Sequence, residues 1–227
     1  MKKTIYNKID KHAIADLPRA YFPGRIVTII TPGETEKAVD YLLSSDILGV
    51  DTETRPCFRK GHRHEVSLLQ VSNRTTCFLF RLNRTGFTPA IRCLLEDRTV
   101  PKVGLSWHDD LMGLHRLGDF EAGWFVELQD LAPQLGIEDR SLQKLYANLF
   151  GEKISKTQRL TNWEAPILKD NQKLYAATDA WTCIQLYEEM CRLRETGDYE
   201  LVIAPEPTVA AEADAASAAE ALRGAEG

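Results

Sequence analysis

The chain has little that belongs to a secreted or membrane protein. Its five cysteines (Cys57, Cys77, Cys93, Cys183 and Cys191) are odd in number, scattered, and never in a C-x-x-C pair. Neither a disulfide framework nor a zinc site is suggested. No stretch approaches the roughly 18–20 apolar residues of a membrane span. Met1-Lys2-Lys3 resembles the start of a signal peptide, but Asn7, Lys8, Asp10, Lys11 and His12 interrupt any apolar run behind it. These absences lead to the expectation of a cytoplasmic protein with no membrane contact. Internal repeats and a second core are also missing.

Positive charge is in deficit as well, with a formal net charge of -5. On its face this disfavours a polyanionic partner. The deficit is local, however. From Pro205 to Gly227 the acids Glu206, Glu212, Asp214, Glu220 and Glu226 face the single base Arg223, a net of -4 that leaves -1 for the rest. Local potential, rather than total charge, governs nucleic-acid binding. The same Ala-rich segment has no apolar periodicity to anchor it and reads as a flexible tail.

What remains alternates between strands and helices. Residues 25–31 form a β-branched run closed by Pro32-Gly33, and residues 34–44 then show helical spacing. Strands are expected at 47–54, 67–72 and 76–82, the last two as a hairpin around Asn73-Arg74-Thr75. A short helix at 89–95, a strand at 102–106 and a helix at 109–117 follow. Residues 125–131 read as the last strand, before helices at 141–150 and about 170–194. The pattern predicts an α/β protein with a mixed sheet and helices on both faces. Its parts are an N-terminal extension (1–24), a single domain (25–197) and the acidic tail (198–227).

The run Gly49-Val50-Asp51-Thr52-Glu53-Thr54 is the most informative stretch. Side chains alternate along a strand, so Asp51 and Glu53 project from one face. Two like charges that close need something positive nearby, and hard oxygen ligands suit Mg²⁺ or Mn²⁺. A D-x-E triplet is common at strand ends without any role, so its meaning depends on partners elsewhere. Tyr175 and Asp179 lie one turn apart on a helix and share a face. Asp109-Asp110 opens another helix, where one acid can cap while the other points away.

Three motifs in this order resemble the DEDD superfamily of 3′-5′ exonucleases, in the DEDDy group that includes ribonuclease D and the Werner-syndrome exonuclease domain. The first is Val50-Asp51-Thr52-Glu53-Thr54. The second runs from Val103-Gly104-Leu105 through Asp110-Leu111 to Leu114. The third is Gln172-Lys173-Leu174-Tyr175-Ala176-Ala177-Thr178-Asp179-Ala180. Lys156 to Trp163 resembles the family's lead-in to the third motif, and Ser67 to Val71 its strand after the first. The likeness spans roughly residues 25–195.

The resemblance implies a ribonuclease H-like fold with a five- to six-stranded mixed sheet. It also implies hydrolysis of phosphodiester bonds from nucleic-acid 3′ ends, DNA or RNA, releasing 5′-nucleotides. Four carboxylates, Asp51, Glu53, Asp110 and Asp179, would hold two divalent cations, Mg²⁺ or Mn²⁺, with Asp51 bridging them. The Asp109-Asp110 doublet leaves two choices for the second-motif ligand, and the following Leu111 favours Asp110. Tyr175 would orient the attacking water. Arg55, Arg59, Lys60 and Arg63, with His62 and His64, form a basic loop able to meet phosphates. Lys153, Lys156 and Arg159 make a second cluster. Leu68 and Gln70, or Phe58 and Trp107, are candidates to wedge or stack a terminal base. The alternative is a non-catalytic nucleic-acid-binding module on the same fold, whose mark would be a missing carboxylate.

Overall fold

The computed structural model describes residues 2–59 and 61–204. Lys60 and the chain from Pro205 onward, with most of the expected tail, lie outside the described residues. In chain order the elements begin with β1 (Lys3–Tyr6), α1 (Lys11–Ala15), β2 (Arg25–Ile29), α2 (Pro32–Leu43), β3 (Leu48–Thr54), β4 (Val66–Ser72) and β5 (Thr76–Phe80). Next come α3 (Leu82–Thr85), α4 (Pro89–Glu96), β6 (Lys102–Gly104), α5 (Trp107–His115), β7 (Phe125–Glu127) and α6 (Leu128–Leu131). A 3₁₀ turn (Ala132–Leu135), α7 (Leu142–Phe150), α8 (Asp170–Thr196) and β8 (Tyr199–Val202) complete the described chain. No described helix is long and apolar enough to cross a membrane.

Six strands form one sheet in the order β2-β5-β4-β3-β6-β7. The β3–β4 and β4–β5 pairs are antiparallel, while β2–β5, β3–β6 and β6–β7 are parallel. Leu48 and Val50 of β3 join Ile91, Leu94 and Leu114 in the core on one face. Period-two alternation therefore sends Gly49, Asp51 and Glu53 to the other face, under α8. There the helix backbone comes close, since a Cβ on Gly49 would lie 1.9 Å from the carbonyl oxygen of Ala180. Ala176, Ala177 and Ala180 are fully buried at this contact. Small residues on both sides thus let α8 settle directly on β3, with the carboxylates at the end of the seam.

Local chemistry sets the element ends. Thr31 caps α2, its hydroxyl accepting from the Glu34 N–H while the Glu34 carboxylate accepts from the Thr31 N–H, and Pro32 follows at the first helical position. The expected helix at 34–44 accordingly starts two residues earlier. Gly197 ends α8 in the left-handed conformation at φ 65°.

Three expectations need correction. The first 24 residues are not merely an extension. β1 pairs in parallel with β8, Lys3 opposite Tyr199 and Tyr6 opposite Val202, and Ile5 is fully buried in the core with Leu135 and Leu145. This pairing joins ends of the sequence nearly 200 positions apart, which no local periodicity reports. It also places residues 199–202 in a strand rather than in the tail. The strand expected at 125–131 stops at Glu127, whose carboxylate accepts from the Gln129 N–H and starts α6. The strand expected at 102–106 stops at Gly104, because Ser106 takes the left-handed conformation at φ 66°, ψ 37° and turns the chain into α5.

Candidate active site

Three elements bring the four acids of the three motifs together. β3 supplies Asp51 and Glu53, α8 supplies Asp179, and α5 supplies Asp110. Oxygen atoms of Asp51, Glu53 and Asp179 lie within 4.8 Å of one another. Asp110 joins the group from the side, and its carboxylate accepts a hydrogen bond from the hydroxyl of Thr52. Asp109 is exposed and reaches the rim of the same cleft. The structure therefore brings Asp110, not Asp109, onto β3. Tyr175 lies one turn before Asp179 in α8, packs on Trp163 at 6.0 Å between ring centroids, and its phenol favours the ionised form of the Asp179 carboxyl.

Burial and mutual repulsion make these carboxyls hard to ionise together. Burial, then the charges of Asp110 and Asp179, holds the Asp51 carboxyl well above the usual carboxylate range. Glu53 is pushed up to about 10 by burial and by Asp51, Asp179 and Asp110, with nearby Arg159 opposing. Burial raises Asp110 to about 7 against the Thr52 hydrogen bond, with Asp109 and Glu127 adding to the rise. Asp179 is also raised to about 7 by burial, against the Tyr175 phenol. The Tyr175 phenol is driven upward by burial and by Asp179.

Such a set calls for positive charge, and its donors fit a hard divalent cation. They are all carboxylate oxygens, and Asp179 Oδ1 is buried with no hydrogen-bond partner among the described residues. Opposite ligands on a Mg²⁺ stand about 4.2 Å apart, so small side-chain rotations suffice to seat an ion among oxygens spread over 4.8 Å.

The acids sit in a cleft of about 370 Å³ also lined by Leu105, Arg140, Gln143 and Arg159. A wider groove of about 540 Å³ adjoins it, sharing Glu53, Asp109 and Arg159. Arg55, Arg63, His62 and His64 of the basic loop line this groove. Glu164, from the segment before α8, ties that loop down, at 3.1 Å from Arg55 and 2.8 Å from His64. Arg59 and Lys156 are exposed but line neither cavity. Lys60 lies outside the described residues.

Three of the four expected base-contacting residues, Leu68, Gln70 and Trp107, are not brought to the surface. Leu68 and Gln70 belong to β4, which is buried along its whole length between β3 and β5 with helices on both faces. Leu68 packs with Trp163, Tyr175 and Ala176. The Gln70 amide sits directly opposite Asp51 in the ladder and has no partner among the described residues. Trp107 is a core residue, edge-on to Phe125 at 4.6 Å and donating its indole N–H to the Val126 carbonyl. None of the three can stack on a base without unfolding its surroundings. Phe58 is 86% exposed.

Sequence reasoning missed several residues around the groove. Met112 and Arg116 line it with Asp109, and their three- and four-residue spacing along α5 from that acid was a legible sign of a shared face. Leu160, exposed beside Arg159, is another. The Thr52 hydroxyl that meets Asp110 stood unremarked between the two acids. Glu127, which accepts hydrogen bonds from the N–H groups of Ser106 and Trp107 beneath Asp110, left no sequence signal.

An acid cluster at the end of a mixed sheet, closed by a long helix, places the molecule among the ribonuclease H-like folds. Solved structures agree on the fold: the Aedes aegypti Nibbler EXO domain (TM-score 0.69, 17% identity, 78% of this chain and 91% of that one) and Escherichia coli RNase D (TM-score 0.65, 19% identity, 78% and 52%). The chain belongs to the 3′-5′ exonuclease family, whose model matches residues 26–194. Relatives include the bifunctional 3′-5′ exonuclease/ATP-dependent helicase WRN of Mus musculus, 31% identical over 199 residues, covering 83% of this chain and 14% of that protein. The 3′-5′ exonuclease of Arabidopsis thaliana is 31% identical over 189 residues, covering 76% and 66%. The chain thus spans about one seventh of the WRN protein and, at 23%, about a quarter of a Drosophila melanogaster exonuclease 3′-5′ domain-containing protein 2.

Proposed function

We propose that the protein removes nucleotides from the 3′ ends of nucleic acids by hydrolysing phosphodiester bonds with two divalent cations, Mg²⁺ or Mn²⁺, and releases 5′-nucleotides. The observation that carries this reading is the convergence of Asp51, Glu53 and Asp179 within 4.8 Å, with Asp110 joined to them through Thr52. Asp51, Glu53 and Asp179 would hold the ion that carries the attacking water, Asp51 would be shared with the second ion, and Asp110 would serve that second one. Bound together, such ions activate a water and take up charge on the leaving 3′ oxygen.

The protein's own groups do the positioning. With its pKa driven upward, Tyr175 keeps its proton at any working pH. It therefore orients a water by hydrogen bonding and is no general base. Its packing on Trp163 helps to fix the direction of the phenol. Arg159, at the junction of the two cavities, meets the phosphate beside Glu53, and Arg55, Arg63 and Arg116 follow the strand behind it.

The test is digestion of oligonucleotides labelled at the 5′ end, DNA and RNA side by side, with each metal. Laddering from the 3′ end and mononucleotides carrying 5′-phosphate are expected. Asp51→Asn and Asp179→Asn should each cut the rate at least about a thousandfold, on the order of 4 kcal/mol in the barrier, with the fold intact. Full activity in either variant sinks the mechanism.

A further inference from the structure

The turn that launches α5 is built in an unusual way. Ser106 is the one non-glycine residue with positive φ among the described residues, a conformation that L side chains adopt at a cost. It makes no side-chain cap of its own for α5. The first free N–H groups are taken instead by another strand. Glu127, the last residue of β7, accepts from Ser106 N at 3.0 Å with one carboxylate oxygen and from Trp107 N at 2.8 Å with the other. Gln129 closes the arrangement, donating from its side chain to Ser106 Oγ at 3.1 Å and to the Arg140 carbonyl at 2.9 Å. On the other side, the Trp107 indole packs against Gly104, where a Cβ would come within 2.7 Å of the ring.

We infer that Glu127 is a positioning residue which, by gripping the Ser106-Trp107 turn, sets where α5 presents Asp110 to the carboxylate cluster; this rests on the reading of Asp110 as a cation ligand. Asp110 stands three residues after Trp107, one helical turn on, so any rotation of the first turn swings its carboxylate. Its other anchor is Thr52 on β3. The side chain therefore spans two strands, fixed at its root by β7 and at its tip by β3. An ordinary N-cap ties a helix to itself. A cap supplied from β7 ties the helix to the sheet, which is what a ligand spacing requires. The choice of a carboxylate also counts against a purely structural role. Glu127 adds negative charge near an acid cluster and contributes to the raised pKa of Asp110, whereas a neutral acceptor would stabilise the turn without that penalty.

The test uses the full chain and four variants: Glu127→Ala, Glu127→Gln, Ser106→Gly and, as control, Asp110→Asn. In the metal-free protein, hydrogen exchange at the amides of residues 106–110 should quicken at least about tenfold in Glu127→Ala, with the circular-dichroism spectrum retained. Calorimetric titration with Mn²⁺ should show binding weakened by about tenfold, and kcat on a single-stranded oligonucleotide should fall about ten- to a hundredfold, while KM changes less than about threefold. Glu127→Gln, which keeps one accepting oxygen, should fall between, and it carries the test if the alanine variant does not fold. Ser106→Gly keeps both contacts to Glu127 but loses the hydroxyl that Gln129 meets, so its losses in Mn²⁺ binding and kcat should be smaller than those of Glu127→Ala. Unchanged Mn²⁺ binding and kcat in the Glu127 variants, while Asp110→Asn loses both, overturns the role of Glu127 alone. An Asp110→Asn protein that binds and cleaves normally overturns the underlying reading of Asp110. Losses that merely track the folded fraction, with an unchanged isotherm per folded molecule, also overturn the proposal.

Discussion

In the absence of metal, replacing Asp179 by asparagine is expected to raise the melting temperature at pH 8. The unfolded chain releases this proton near the ordinary 3.8, while the folded protein holds it up to about 7. Between those values the folded state binds more protons than the unfolded one, so stability falls as pH rises across the window and stays low above it. A carboxyl raised this far costs the folded state on the order of 4 kcal/mol once ionised. Asparagine removes the charge but keeps a buried polar group short of partners, which leaves a net gain of about 2 kcal/mol. For a chain of this size that is a rise of roughly 4–8 °C. At pH 5 the wild-type group is already neutral when folded, and the two proteins should melt within about 2 °C of each other. Melts followed by circular dichroism in EDTA from pH 5 to 8 provide the assay. Adding Mn²⁺ at pH 8 should raise the wild type and move the variant much less. A variant that melts at or below wild type at pH 8 without metal, or a wild type most stable at pH 8, would refute the argument that crowding of buried carboxylates governs this site.

Two further outcomes are expected. Arg116→Ala and Arg63→Ala should each weaken binding of single strands uniformly across sequences and reduce the slope of log affinity against log salt by about 1; a sequence-dependent loss would mean base contact instead. Ile5→Ala should cost about 3 kcal/mol in urea unfolding, because Ile5 is fully buried beneath the β1–β8 pair; a loss under about 0.5 kcal/mol would return the first residues to the status of an appendage.

The chemistry of the site was legible because it rides on short periods. Asp51 and Glu53 are two apart on a strand, and Tyr175 and Asp179 four apart on a helix, so local spacing alone put each pair on one face. What depended on neighbours in space was not legible. Leu68 and Gln70 alternate like any half-exposed strand, and only the position of β4 at the centre of the sheet, covered on both faces, buries them. Lys102 would ordinarily mark an exposed edge, yet it is fully buried and donates to the carbonyls of Asp97 and Val100. Trp107 looked like a stacking platform beside an acid doublet and proved to be the wedge between β6 and β7. Glu127 had no chance of being read, since its partners come from a turn twenty residues earlier.

The contact between Gly49 and the Ala180 carbonyl has a mechanical consequence. It joins the strand carrying Asp51 and Glu53 to the helix carrying Tyr175 and Asp179 with no side chain in between. Side chains at an interface can change rotamer and so act as soft springs; backbone resting on backbone cannot yield in that way. The distance across the acid cluster is thus held by a joint of backbone on backbone. The basic loop between β3 and β4 is instead tied to the fold through side chains, Arg55 and His64 meeting Glu164. Substitutions that reshape the groove for a different strand can accumulate there without loosening the gauge to which the carboxylates are set.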